Sequence, residues 1–483
     1  MASNLWLMSS APNFAVEPES AASNVAKPER LFAGFPWVSA IVLYTLSWGW
    51  SLLRPNTLYW DDWSVYFNQP SGNGIAVMAE MGRPPWGGVI EYFLLQFGVG
   101  AVTVATFLFF FVSSVFMFGI LRRSQNHELA VARLIVLMFL VVPVNSARTS
   151  VAVFDYTSSY ILFYFGWFVL VNYKSTKSFL LSSLFVFLSF KTHSFLFFVL
   201  LPLLNFTWLN KTELLDFKHP TRRHIHVVIL TSMPFLYFLL RQIFWPTSEA
   251  WAGYQKPSKD GIILWAPILA PFVLGLILIL LRRKVKKSMS TEFLTMWLGM
   301  GVIALALLPY FVAGLFRDYI SLIAFRSDWS SRHQLLMPLG LALSVVGLNE
   351  LLKWRGKNVV VLTVLVISVG LNMFWGSQYF LQSHKQEQLV ELFKTTKSEV
   401  EIASVEDQTK RFNGRESTFR SYEWTGFMTL AGISTDRPGC EALPSGSALT
   451  LKSDTSYLQA LATRDLGLYF EIKPCSEVLA QNN

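Results

Sequence analysis

The chain has 483 residues, of which 53% are hydrophobic, 15% aromatic and only 15% charged. A soluble domain carries about 25% charge, so cytosolic enzymes, disordered chains and nucleic-acid binders are set aside in favour of a multi-pass membrane protein. The net charge of +9 reads as an orientation signal rather than a polyanion-binding surface, and two cysteines exclude a cysteine-rich metal site.

Residues 1–34 are expected to be a disordered cytoplasmic tail, polar and rich in Ser, Ala, Pro and Glu, without the basic start and apolar run of a signal peptide. A helix crosses the hydrocarbon core with roughly 20 apolar residues. Runs that qualify lie at about 36–53, 99–121, 129–144, 158–172, 226–245, 261–281, 293–316, 334–350 and 359–377. The stretch 178–208 carries Lys191 and His193 at its middle. One long helix would hold that lysine near the bilayer centre at a cost of about 3 kcal/mol. Two short helices meeting at Phe190–His193 bring it towards an aqueous surface instead. The two-helix reading places the basic clusters Arg122/Arg123, Arg222/Arg223 and Arg282–Lys287 on one side, as the positive-inside rule asks. It predicts eleven spans, a cytoplasmic N-terminus and an exoplasmic C-terminus.

The fold class expected is therefore an all-α polytopic membrane protein with a small α+β C-terminal exoplasmic domain. The membrane domain takes residues 35–380 and the soluble domain 381–483. The latter opens with a helical pattern around Leu389 and Phe393, and has strand-like runs at 447–452 and 466–472. It holds both cysteines, Cys440 and Cys475, expected as a disulfide because the charge argument places them in an oxidising compartment.

No fixed-period repeat, glycine-rich phosphate loop, HExxH or GxSxG occurs, so chemistry has to come from polar residues at the outer face. The first outer loop reads Leu58-Tyr59-Trp60-Asp61-Asp62-Trp63-Ser64. Paired carboxylates among aromatics suit a sugar: Tyr59, Trp60 and Trp63 offer ring faces, and Asp61 or Asp62 a general base. Met81-Gly82-Arg83-Pro84-Pro85-Trp86 follows. Its glycine permits close backbone approach and its prolines stiffen the chain, making Arg83 a fixed fork for a phosphate. Arg148 and Asp155, in the second outer loop, form either an ordinary ion pair or a sugar-hydroxyl or phosphate contact. Lys191 at the hairpin tip, and Arg326, Arg332 and His333 in the fifth outer loop, complement a phosphate leaving group; Arg241 is a weaker candidate.

The DD pair after the first span, with Gly-Arg-Pro near the second, resembles the bacterial and phage O-antigen glucosyltransferases of the GtrII type. These in turn resemble the wider C-type (GT-C) membrane glycosyltransferases. The resemblance covers mainly residues 54–100 and the span layout; Trp63-Ser64-Val65 departs from the polar residues the family commonly has after the pair. It implies a bacterial inner-membrane hexosyltransferase, with glucose the expected hexose. The donor would be a polyprenyl-phosphate sugar and the acceptor a lipid-linked or surface glycan on the periplasmic side, with a donor synthase and a flippase as functional partners. It implies a catalytic carboxylate at Asp61 or Asp62. No cofactor is required; Mg²⁺ or Mn²⁺ is compatible with the pair, but no further ligand is identifiable and none is assigned. Two alternatives stay open: an O-antigen ligase or polymerase, and a lipid-linked glycan transporter.

Overall fold

The computed structural model describes residues 32–68, 73–124, 128–214, 216, 221–249, 259–267, 270, 291–313, 329–352, 358–395, 402–406, 421–432, 447–451, 470–474, 476–477 and 480. Arg326, Cys440, Cys475 and most of the run 261–281 lie outside them.

The protein is a helical membrane protein. Among the described residues, four stretches are long and apolar enough to cross a bilayer: Val99–Arg123, Arg222–Phe244, Glu292–Val312 and Val359–Glu391. In chain order the helices begin with α1 (Trp37–Trp48), α2 (Asp62–Asn68), α3 (Asn73–Glu80), α4 (Trp86–Leu95), α5 (Val99–Ser124) and α6 (Leu129–Val141). There follow α7 (Phe154–Asn172), α8 (Thr176–Ser189), α9 (Phe195–Phe198), α10 (Leu200–Leu209), α11 (Lys211–Leu214) and α12 (Arg222–Phe244). The last are α13 (Thr291–Val312), α14 (Met337–Leu351), α15 (Val359–Thr395) and α16 (Ser421–Leu430).

Burial separates packed faces from lipid-facing ones. On α1, Ala40, Tyr44, Ser47 and Trp48 recur at helical spacing and are buried, while Ile41, Val42 and Leu46 are exposed. An outward apolar stripe of this kind has no aqueous solvent to satisfy it and suits hydrocarbon. The same holds for Phe235, Leu239 and Ile243 on α12. Helix α6 is the central element: Ile135, Val136, Met138, Phe139, Leu140 and Val141 are all inaccessible, enclosed by α1, α5, α14 and α15.

Small residues set how closely helices approach. A Cβ on Gly166 of α7 would lie 2.8 Å from Val186 Cγ2 and 3.0 Å from Ser182 O on α8, and Ser182 Oγ donates to Gly166 O at 2.7 Å. Helices α13 and α14 meet likewise at Gly299, where a Cβ would stand 2.4 Å from Ser344 N.

The stretch 178–208 is broken into α8 and the α9–α10 segment, the turn falling at Phe190–Ser194. Lys191 does not reach an aqueous surface there, contrary to the sequence reading; it is 1% exposed. Helix α15 runs unbroken through residue 380, where composition changes. Its 37 residues span about 55 Å, longer than the ~30 Å hydrocarbon core of a bilayer.

The C-terminal part of α15 builds a second core. Leu381, Leu389 and Phe393 pack with Leu58, Trp63, Phe154 and, from α16, Phe427. Gln386 Nε2 donates to Leu58 O at 2.9 Å, and Arg54 forms an ion pair with Glu387. Three described strands lie in the C-terminal part: β1 (Ile402–Glu406) pairs parallel with β2 (Ser447–Leu451), which pairs antiparallel with β3 (Phe470–Pro474).

Candidate functional site

The two motifs of the first loop converge on one short stretch of the second. Asp62, at the start of α2, is inaccessible. Its Oδ2 accepts from Tyr59 N at 2.9 Å, and its Oδ1 accepts from Ala152 N at 2.8 Å and from the Ser150 hydroxyl. Arg83 Nη1 reaches Asp155 Oδ2 at 3.2 Å, three residues after Ala152. Asp62 thus fastens the DD segment to residues 150–152, while Arg83 fastens the Gly-Arg-Pro segment to the first turn of α7.

The carboxylates divide their work. Both oxygens of Asp62 are engaged, and burial pushes its carboxyl up to about 7 despite the donors from Ala152, Ser150 and Tyr59. Asp61, one residue earlier, is partly exposed. Trp60 before it holds φ +50°, a left-handed conformation that a bulky side chain adopts only under constraint. Its ring stands edge-on to Tyr379 of α15, with centroids 5.7 Å apart. Tyr59 is buried against the same residue at 5.1 Å. The aromatic floor behind the pair is therefore shared between the first loop and the last long helix.

Trp63, which the sequence offers as a sugar platform, is covered instead. Phe427 meets its ring at 4.9 Å, and a Cβ on Gly426 would lie 2.2 Å from its Cε3. This tryptophan packs α16 onto α2.

The charged centre is a buried triad. Lys191 Nζ donates to Asp155 Oδ1 at 3.1 Å, to Ser158 Oγ at 2.7 Å and to Gly87 O at 3.0 Å. All three ammonium protons are used, which explains how the lysine stays buried. A Cβ on Gly87 would make ordinary contact, 3.8 Å from both Asp155 Oδ2 and Lys191 Cβ. One turn on, along the same face of α4, stands Glu91, which the sequence reading passes over. It is 3% exposed, and among the described residues its Oε2 has no hydrogen-bond partner. Burial raises its pKa well above the usual carboxylate range; Asp155 adds to this and Lys191 opposes it. The signal available was one acidic residue in the apolar run Trp86–Leu95, a helix too short to cross a bilayer.

The Gly-Arg-Pro glycine is required twice. Gly82 holds φ +72°, and a Cβ there would fall 2.5 Å from Thr247 Oγ1 and 2.6 Å from Arg241 Nη2. Arg241 Nε donates to Gly82 O at 2.8 Å, so this arginine secures the loop that carries Arg83 rather than reaching for the interface.

The Arg148–Asp155 pair does not form. Asp155 is taken by Arg83 and Lys191, and Arg148 turns the other way, 4% exposed. Its Cζ lies 3.6 Å over the Trp48 ring and 4.0 Å over Phe110. The neighbouring loop is clamped from a distance in sequence: Ala147 N donates to Ser331 Oγ at 2.8 Å and Asn145 N to Gln334 Oε1 at 3.2 Å. Between these two clamps stand Arg332, partly exposed, and His333, whose ring packs edge-on to Tyr310 at 4.8 Å. Burial lowers the His333 pKa to about 3, leaving it a neutral imidazole.

Among the described residues no three His, Cys, Asp or Glu side chains gather as a metal site. Comparison with models of known protein families, with curated proteins and with solved structures finds no match.

Proposed function

We propose that the chain is a multi-pass glycosyltransferase of the bacterial inner membrane, similar in kind to the GtrII-type enzymes. It moves a hexose, glucose the leading candidate, from a polyprenyl-phosphate donor to a lipid-linked or surface glycan such as O-antigen. In this reading eleven spans place the N-terminus in the cytoplasm and residues 381–483 in the periplasm, with Asp61, Arg83 and Arg332 at the periplasmic face. The observation that carries it is the convergence of the DD and Gly-Arg-Pro segments on residues 150–155, through Asp62–Ala152 and Arg83–Asp155.

Asp61 is assigned as the base, because it is partly exposed whereas Asp62 is inaccessible. The acceptor hydroxyl oxygen attacks the anomeric carbon and its proton passes to Asp61. The bond from that carbon to the phosphate oxygen breaks, and the polyprenyl phosphate departs with the electron pair. Attack opposite the leaving group inverts the anomeric configuration. Arg83, whose side chain is 23% exposed, Arg332 and Arg326 stabilise the departing phosphate, and His333 supplies a neutral donor. Lys191 serves as a positioning residue through Asp155. Trp60 offers the sugar-facing ring, and Tyr59, buried against Tyr379, backs it.

The test compares surface polysaccharide by mass analysis in cells expressing wild type or Asp61→Asn at equal membrane level. Loss of the added hexose is expected for the variant; normal transfer by it would remove Asp61 from the mechanism. An O-antigen ligase or polymerase is the second reading, favoured by the way Ser331 and Gln334 bring Arg332 and His333 against the second loop. It is recognised by a change in glycan chain number or length rather than a single added hexose.

A further inference from the structure

Arg148 is a buried cation enclosed by aromatic rings. Trp48 covers one side of its guanidinium at 3.6 Å, Phe110 lies at 4.0 Å, and Tyr44 stands at 5.9 Å. Rings stacked on a guanidinium leave its donors free around the edge. Here Nη2 is buried and has no hydrogen-bond partner among the described residues. A buried charge normally pairs, because an uncompensated ion in a low-dielectric interior costs several kcal/mol. The carboxylate nearest in sequence, Asp155, is occupied by Arg83 and Lys191. Burial lowers the Arg148 pKa to about 10, so the side chain remains cationic at neutral pH.

The guanidinium lines a recess between α1 and α5, with Ser51, Thr103, Thr106 and Thr149 around it. Three of these hydroxyls direct their protons elsewhere: Ser51 to Trp48 O at 2.9 Å, Thr103 to Pro55 O at 2.8 Å and Thr149 to Ser146 O at 3.1 Å. Arg148 is therefore the recess's cationic donor, in a lining that mixes the four hydroxyls with the rings of Tyr44, Trp48 and Phe107 and includes no acid. Helix α5 also carries exposed apolar side chains, Val104 and Leu108. The hydrocarbon chain of a lipid whose headgroup enters here would suit such side chains.

We propose that Arg148 binds a phosphate group, one anionic oxygen entering the α1–α5 recess to accept from the guanidinium edge. The site is separate from the Asp155 centre and does not rest on the transferase reading. The phosphate comes either from a membrane lipid headgroup or from solution.

The full-length chain, delipidated in neutral detergent, is titrated with two probes. Radiolabelled inorganic phosphate is followed by equilibrium dialysis, and short-chain phosphatidic acid by native mass spectrometry. Saturable binding of at least one probe is expected, weakened about ten- to hundredfold in Arg148→Gln, the range for losing charge-assisted hydrogen bonds. Arg148→Lys, which keeps the charge and loses the fork, is expected to fall between the two and guards against misfolding of the glutamine variant. Binding of phosphatidic acid alone identifies the lipid source; binding of both identifies phosphate as sufficient. Asp61→Asn, inactive in transfer under the reading above, is expected to bind like wild type. If neither probe saturates, or if Arg148→Gln binds both as tightly as wild type, the phosphate site is overturned.

Discussion

Lys191 Nζ lies 3.1 Å from Asp155 Oδ1, and neither side chain is exposed to solvent. This pair, with Arg83 on the second oxygen, joins the α8–α9 turn, the first turn of α7 and the loop before α4. Removing the ammonium strands a buried carboxylate with only a partly exposed arginine. Lys191→Met is expected to cost about 3–5 kcal/mol, seen as a lower unfolding midpoint in detergent. Lys191→Met combined with Asp155→Asn is expected to be milder than Lys191→Met alone. If the double variant is the less stable of the two, the triad is not a compensated unit.

Asp62 makes a claim about pH. Its folded pKa, about 7 through burial, stands above the unfolded value near 3.9. The folded state therefore binds the extra proton between those values, and stability from this group is greatest below about pH 4 and is lost as pH rises through 7. Unfolding midpoints between pH 4 and 8 are expected to fall more steeply in wild type than in Asp62→Asn. Parallel curves for the two proteins would show that this carboxyl does not titrate in that window.

Burial raises the Glu91 pKa well above the usual carboxylate range, which favours its neutral form. Glu91→Gln, close in shape and uncharged, is then a mild change, within about 1 kcal/mol in stability. Glu91→Lys places a second cation beside Lys191 and Arg83 and is expected to prevent accumulation of folded protein. A glutamine variant that unfolds as readily as the lysine variant would mean that the negative charge itself is needed.

Gly82→Ala tests the loop that carries Arg83. Left-handed backbone costs a non-glycine residue about 1–2 kcal/mol, and the added methyl meets Thr247 and Arg241. A lower unfolding midpoint is expected, together with weaker transfer, because Arg241 can no longer hold the Gly82 carbonyl. Unchanged stability and transfer would show that the loop relaxes without consequence.

What was legible in the sequence is what stands out against an apolar background. Asp61, Asp62 and Arg83 are conspicuous polar residues beside apolar runs, and Lys191 in the middle of 178–208 announces a helix break. What was not legible is pairing at a distance. Asp62 meets Ala152 and Ser150, 90 and 88 positions away, and no periodicity encodes such a contact. Arg148 and Asp155 are seven residues apart and opposite in charge, yet a change of direction between two short 3-10 turns sends them to different sides. Trp63 reads as a ligand platform because composition does not reveal that Gly426 lets α16 close over it.

The Asp62 clasp also has an order of assembly built into it. A nascent chain presents Asp62 about ninety residues before Ser150 and Ala152 emerge to receive it. α3, α4, α5 and α6 intervene in sequence, so the DD segment reaches its mature shape only after those helices have formed. Lys191 arrives later still, to neutralise Asp155. Truncation before α7 leaves Asp62 Oδ1 without its donors from Ser150 and Ala152, which makes the start of α7 the earliest point at which this end of the bundle is able to mature.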